Sequence, residues 1–231
     1  WSPTGPSFEV PAAFGLARLA ESYLKTFDPG PVVVGLNQAR VILINDGDQA
    51  KRLRVRLQYW QDEEIATETF SFYHELEAGA TREVVIPYGV ASSTAPVGFE
   101  LAVLDQRGAI LTERALTRAV QPPLVTSVGQ SVLLVGERQA GLAVKLRVGP
   151  DLLRERGSLV VALFRQPGMS VVARQEIAPL QTPVMTARLA LPELSPGAYS
   201  LHVVLKQQTL DGITRVAEAK HDLRVLASHL H

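Results

Sequence analysis

No cysteine occurs in this chain. That absence excludes a disulfide framework, thiolate catalysis, iron–sulfur ligation and every cysteine-based zinc site, while leaving the compartment open. An excess of charge of one sign is missing as well, because 23 Lys plus Arg stand against 23 Asp plus Glu. A nucleic-acid binder needs a basic excess or stripe to neutralise phosphates, so nucleic acid is not an expected partner. Long apolar runs are also missing. Apolar runs such as residues 32–34 and 41–44 are strand-sized and far short of the ~18 residues of a membrane helix, so no membrane span is expected within the chain. What is present is a 46% hydrophobic complement in 231 residues. That is enough for a packed interior and too much for a disordered tail. Length alone allows one large domain or two of about 100 residues each.

Residues 1–30 read as an N-terminal extension. Pro3, Gly5 and Pro6 mark a loose lead-in, and a helix is predicted over 11–27 with Pro11 in its first turn. Leu16, Ala20, Tyr23, Leu24 and Phe27 recur at spacings of three and four and so share one stripe, an apolar face that needs a surface to dock on. Asp28-Pro29-Gly30-Pro31 stops the helix.

After Pro31 the period becomes two. Leu53, Val55, Leu57 and Tyr59 alternate with Arg52, Arg54, Arg56 and Gln58, which a strand sorts into one dry and one wet face and a helix cannot. Residues 40–44 run into Asn45-Asp46-Gly47-Asp48, whose turn chemistry predicts a hairpin with that strand. Further strands are expected at 68–76, 81–87, 98–104 and 109–118. Many short strands with no helical insertion describe an antiparallel sandwich, placed at 31–121. Pro122-Pro123 then breaks the pattern, because neither residue can donate to a ladder.

The same grammar returns at 124–228. Leu142, Val144, Leu146 and Val148 form one alternating set, Leu159, Val161 and Leu163 a second, Met185 to Leu191 a third, and Tyr199, Leu201, Val203 and Leu205 a fourth. A last strand covers about 219–226, and residues 151–156 suit a short helical turn. The fold class expected is all-β, two tandem antiparallel β-sandwiches preceded by a short helix. A single continuous β domain is the alternative.

The stretch Leu191-Pro192-Glu193-Leu194-Ser195-Pro196-Gly197-Ala198-Tyr199-Ser200-Leu201 resembles the turn-and-strand phrase of immunoglobulin-like and fibronectin-type-III-like modules of bacterial secreted or surface proteins. Residues 99–108, ending in Asp105-Gln106-Arg107-Gly108, are similar to the penultimate hairpins of that superfamily. Together they span about a tenth of the chain. The resemblance implies immunoglobulin-like sandwiches serving as an accessory or spacer module of a periplasmic, cell-surface or secreted protein. The cysteine pair and inter-sheet tryptophan of antibody domains are lacking.

Candidate chemistry is sparse. His74 is in phase with Phe70, Phe72 and Leu76 and reads as a partly buried structural residue, His202 reads as solvent-facing, and His229 and His231 sit at the chain end. No three-ligand metal spacing occurs, and Asn45, Asp46 and Asp48 suit a turn better than a calcium loop. There is no nucleophile elbow, and Asp62-Glu63-Glu64 has the composition of a solvated loop. Converging carboxylates of an enzyme would have to come from separate strands. Trp60 departs most from expectation, following the strand in phase with its arginines. With Tyr73 and Tyr88 it suggests an aromatic platform, and Arg52, Arg54 and Arg56 suggest a grip for an anionic polymer.

These readings converge on a noncatalytic structural or docking module that spaces or anchors domains of a larger extracytoplasmic protein. Its partners would be neighbouring domains of the same chain or another protein, with no cofactor and no metal. The alternative is a carbohydrate-binding module around Trp60, with a polysaccharide as partner.

Overall fold

The structure is a computed structural model that describes residues 23–61 and 66–227. Nearly every described element is a β-strand. In chain order these are β1 (Leu24–Asp28), β2 (Gly35–Ile44), β3 (Lys51–Gln61), β4 (Thr67–Phe70), β5 (His74–Leu76), β6 (Thr81–Val90), β7 (Val97–Leu104) and β8 (Ile110–Arg118). They continue with β9 (Leu124–Val128), β10 (Val132–Leu134), β11 (Gln139–Leu146), β12 (Gly157–Arg165), β13 (Ser170–Ile177), β14 (Val184–Ala190), β15 (Gly197–Thr209) and β16 (Gly212–Leu226). A single helical turn, Leu152–Arg156, precedes β12.

Among the described residues the strands form four sheets. One has the order β1-β2-β6, and another β4-β3-β7-β8 with β5 also on β3. The other two are β14-β11-β9 and β10-β16-β15-β12-β13. Pairing between the named strands is antiparallel except where β10 runs parallel to β16, and an isolated parallel bridge joins Val34 to Val148. Alternation explains the burial. Leu53, Val55 and Leu57 of β3 are fully buried, and they meet Val41 and Leu43 of β2, Ile86 and Tyr88 of β6 and Phe99 and Leu101 of β7 in one hydrophobic cluster. A second cluster collects Leu142 and Val144 of β11, Leu159, Val161 and Leu163 of β12, Leu201, Val203 and Leu205 of β15 and Val225 of β16.

Two expectations are corrected here. The stretch expected to end a helix is strand β1, and Tyr23, Leu24 and Phe27 lie in the first cluster. The register of β1 on β2 shifts between Leu24 and Thr26. That irregularity brings residues three apart onto one side of the strand, reproducing a helix-like spacing. Leu16, Ala20 and the rest of the helix lie outside the described residues, as do Asp62-Glu63-Glu64, His229 and His231.

The second correction concerns the hairpin. β2 pairs with β1 and β6, whereas β3 pairs with β4, β5 and β7, so residues 45–50 carry the chain from one sheet to the other. Asn45 holds this crossing. It is fully buried, its amide nitrogen donates to the carbonyls of Gln49 (2.8 Å) and Leu76 (2.9 Å), and its side-chain oxygen accepts the Gly47 N–H (3.2 Å). Its carboxamide therefore satisfies backbone groups and is not offered to a cation, while Asp46 and Asp48 are exposed.

The strand expected at 68–76 is interrupted, and β9, β10 and β13 add strands that the sequence pattern did not single out. Between β8 and β9, Gln121 donates to the Val32 carbonyl (2.8 Å) and the Pro123 carbonyl accepts the Arg147 N–H (2.9 Å). At the same junction the Gly149 N–H donates to the Val34 carbonyl (2.7 Å), and the Leu36 N–H donates to Asp151 Oδ1 (2.8 Å). Two glycines permit this approach. Gly35 has φ +101°, and a Cβ there would stand 2.6 Å from Asp151 Oδ1, while a Cβ on Gly149 would run into the Leu36 backbone.

Candidate binding surface

The outer face of β3 presents Arg52, Arg54, Arg56, Gln58 and Trp60 in sequence, as the period of two requires. Their environments differ sharply. Arg56 is ringed by carboxylates, with Nη2 3.2 Å from Glu100 Oε1 and 3.6 Å from Glu113 Oε1, and Nε 3.7 Å from Glu68 Oε1. That last separation is an ion pair and not a hydrogen bond, so the buried Nε goes without a hydrogen-bond partner. A cation so neutralised has little attraction left for an anionic polymer.

Arg52 and Arg54 pair instead with rings. The Arg54 guanidinium carbon lies 4.1 Å from the centroid of Phe70 and 5.4 Å from that of Tyr73, and Arg52 lies 5.0 Å from Tyr73. Such stacking is worth about 0.5–1 kcal/mol at exposed sites. Neither guanidinium has a carboxylate within ion-pair distance among the described residues. Trp60, at the far end of the row, is half-buried with its indole against Gly98, where a Cβ would collide with the ring. It lines a small pocket of about 180 Å³ with Pro96, Gly98 and Thr117.

The platform of three exposed rings is corrected at Tyr88. This residue is 2% exposed, packs edge-on against Tyr59 and Phe99, and donates its hydroxyl to the Pro29 carbonyl (2.8 Å). Burial, reinforced by the Asp28 charge, holds that hydroxyl protonated far above its ordinary range. Tyr73 is exposed. Missing from the expected set were Phe70 and Phe72, which the alternation had assigned to a regular strand. The available signal was three aromatics within four residues, split by a serine.

The histidines divide likewise. His74 is half-buried with no hydrogen-bond partner for Nε2, and burial, followed by the Arg82 charge, pushes its pKa down. His202 is half-buried where a solvent-facing ring was expected, its ring tilted against that of Phe164 and Nδ1 3.1 Å from Glu218 Oε1. Burial pulls the Glu218 carboxyl upward, but the Lys220 hydrogen bond and the charges of Lys220, Arg215 and His202 outweigh it and hold the group below its usual range. His221 Nε2 lies 2.7 Å from Thr126 Oγ1. No group of three metal-ligating side chains occurs among the described residues, and no described helix is long and apolar enough to cross a membrane.

Two of the larger clefts border elements already described. One, about 470 Å³, is lined by charges of both signs, including Lys51, Arg52, Arg107, Glu75, Glu77 and Asp105. The other, about 420 Å³, lies at the junction among Pro29, Pro31, Leu36, Pro87, Val148 and Pro150.

No protein-family model and no curated protein matches the chain. Among solved structures it is similar to red sea bream transglutaminase, with 11% identity and a TM-score of 0.39 over 90% of this chain. The chain spans 32% of that protein's length.

Proposed function

We propose that the chain is a noncatalytic structural or docking module that spaces or anchors domains of a larger extracytoplasmic protein. It is read as two tandem immunoglobulin-like sandwiches, at 31–121 with β1 added and at 124–228. The observation that carries this reading is the junction. Close-packed glycines and the bonds from Gly149 to Val34 and from Leu36 to Asp151 tie the strands of one cluster to those of the other. A spacer transmits position only if its parts keep a fixed mutual orientation, and a linker free of such bonds would not. The extracytoplasmic setting rests on the turn-and-strand resemblance around Pro196-Gly197. A sugar platform at Trp60 has less support, since its third ring is in the interior.

Because the chain has no native cysteine, paired labels are simple to place. Spin labels at Gln106→Cys and Gln181→Cys, both at exposed positions, are expected to give one narrow distance distribution by pulsed electron resonance. A broad distribution rules out the spacer reading.

A further inference from the structure

We infer that Arg52, Arg54, Phe70, Phe72 and Tyr73 form a docking face for an acidic polypeptide segment that carries an apolar side chain beside its carboxylates. This inference rests on the docking reading above and gives it a surface and a partner chemistry.

The face is built by Ser71. β4 ends at Phe70 and β5 begins at His74, both paired with β3. Between them Ser71 occupies the ladder with its side chain: Oγ accepts the Val55 N–H (3.0 Å) and donates to the Phe72 carbonyl (2.7 Å), while the Ser71 N–H donates to the Val55 carbonyl (2.9 Å). The backbone polar groups of β3 are thus satisfied although the strand has broken. The break turns Phe72 outward, where it is 89% exposed. A phenylalanine held in water forgoes the stabilisation of burial, which a partner covering it would recover.

The cations are fixed in advance. Arg54 Nε donates to the Ser71 carbonyl (3.1 Å), and its guanidinium and that of Arg52 lie on the rings of Phe70 and Tyr73. Glu75 is the cross-strand neighbour of Arg52, yet Arg52 turns to Tyr73 instead. Two oriented guanidiniums two residues apart, with no carboxylate partner among the described residues, favour a ligand bringing carboxylates of its own. Arg56 shows the contrast, with three carboxylates within 4 Å.

The chain chemistry of the ligand follows from the edge. Among the described residues β4 is the outer strand of its sheet, so its outer side offers N–H and C=O groups that an extended polypeptide can pair with. An anionic polysaccharide fits less well. A continuous polyanion laid along this edge would meet Glu68 and Glu75, whereas a polypeptide can place uncharged residues beside them. Five side chains are few beside the roughly 20–30 residues a side of a stable interface, so the affinity expected is that of a transient contact.

The test is a fluorescence anisotropy titration of the full chain against an array of ten-residue peptides in which Asp or Glu alternates with Leu, Val or Phe. The same peptides with Asn or Gln replacing the acids, and an oligogalacturonate, serve as comparisons. Acidic members are expected to bind at least about tenfold more tightly than their neutral counterparts. The double variant Arg52→Gln/Arg54→Gln should lose about tenfold and most of the salt dependence, and Phe72→Ser should lose affinity while keeping it. Arg138→Gln, exposed in the second half, should change neither. No binding peptide in the array, equal binding by the double variant, or tighter binding of oligogalacturonate overturns the inference. A narrow spin-label distance in a chain that binds none of the peptides removes this face and leaves the docking reading intact.

Discussion

Arg52, Arg54 and Arg56 are equivalent in the alternating pattern of β3, yet one is neutralised by carboxylates and two lie on aromatic rings. The difference comes from what each side chain reaches: Glu68, Glu100 and Glu113 for Arg56, although Phe70 is its ladder partner, and the rings of Phe70 and Tyr73 for the other two. His74, on the strand that flanks Arg52, makes the residue scale testable by pH. Burial and then the Arg82 charge lower its pKa in the folded chain, so the unfolded chain takes up the proton more readily. With an ordinary value of about 6.5 when unfolded, its neutral form is fully compatible with folding above that pH. Stability is then lost as pH falls from about 6.5 toward the lower folded value. The urea midpoint of the native chain should therefore drop more between pH 7.5 and pH 5.5 than that of His74→Gln. Identical drops would show that the imidazole is not desolvated.

At the scale of elements, β1 is the sharpest test. Phe27 is nearly buried and meets Phe99 edge-on at 6.2 Å between centroids. As part of the interior, Phe27→Ala should cost about 3–5 kcal/mol, read from urea unfolding. A loss below about 1 kcal/mol would return the segment to the periphery. The same element shows where sequence patterning stops being readable. β3, β6, β11 and β15 were legible because their dry positions recur every second residue. In β1 a register shift between Leu24 and Thr26 replaced that period with a spacing of three, which is also the spacing of a helix. β13 lies at a sheet edge with mostly exposed positions, so it has no strong alternation to find. The turn at Asn45 was legible as a turn but not as a crossing between sheets. Its partners, Leu76 and Glu77, are about 30 residues away and no local pattern encodes them. The arginine row and Tyr73 of the candidate site were visible for the same reason as β3. Phe72 was not, because its exposure depends on one serine hydroxyl filling a gap in the ladder.

At the scale of the whole molecule, the question is how strongly the two hydrophobic clusters depend on each other. Among the described residues the strand pairing that joins them is the bridge from Val34 to Val148, of which the Gly149 bond to Val34 is part, supplemented by the bond from Leu36 to Asp151. At about 0.5–1.5 kcal/mol net for each hydrogen bond, these contacts can set an orientation but supply only a small part of the stability of either interior. Geometry and energetics therefore separate: on the reading proposed above the halves keep a fixed pose, yet they should open independently. Leu163→Ala, at a fully buried position of the second cluster, should destabilise that half by about 2–5 kcal/mol. Native-state hydrogen exchange should then show the amides of β12 and β15 losing protection by a corresponding factor, while those of β3 and β7 keep theirs. Equal loss in all four strands would mean one cooperative interior running through the junction, and the two halves would be a single domain that the diproline only decorates.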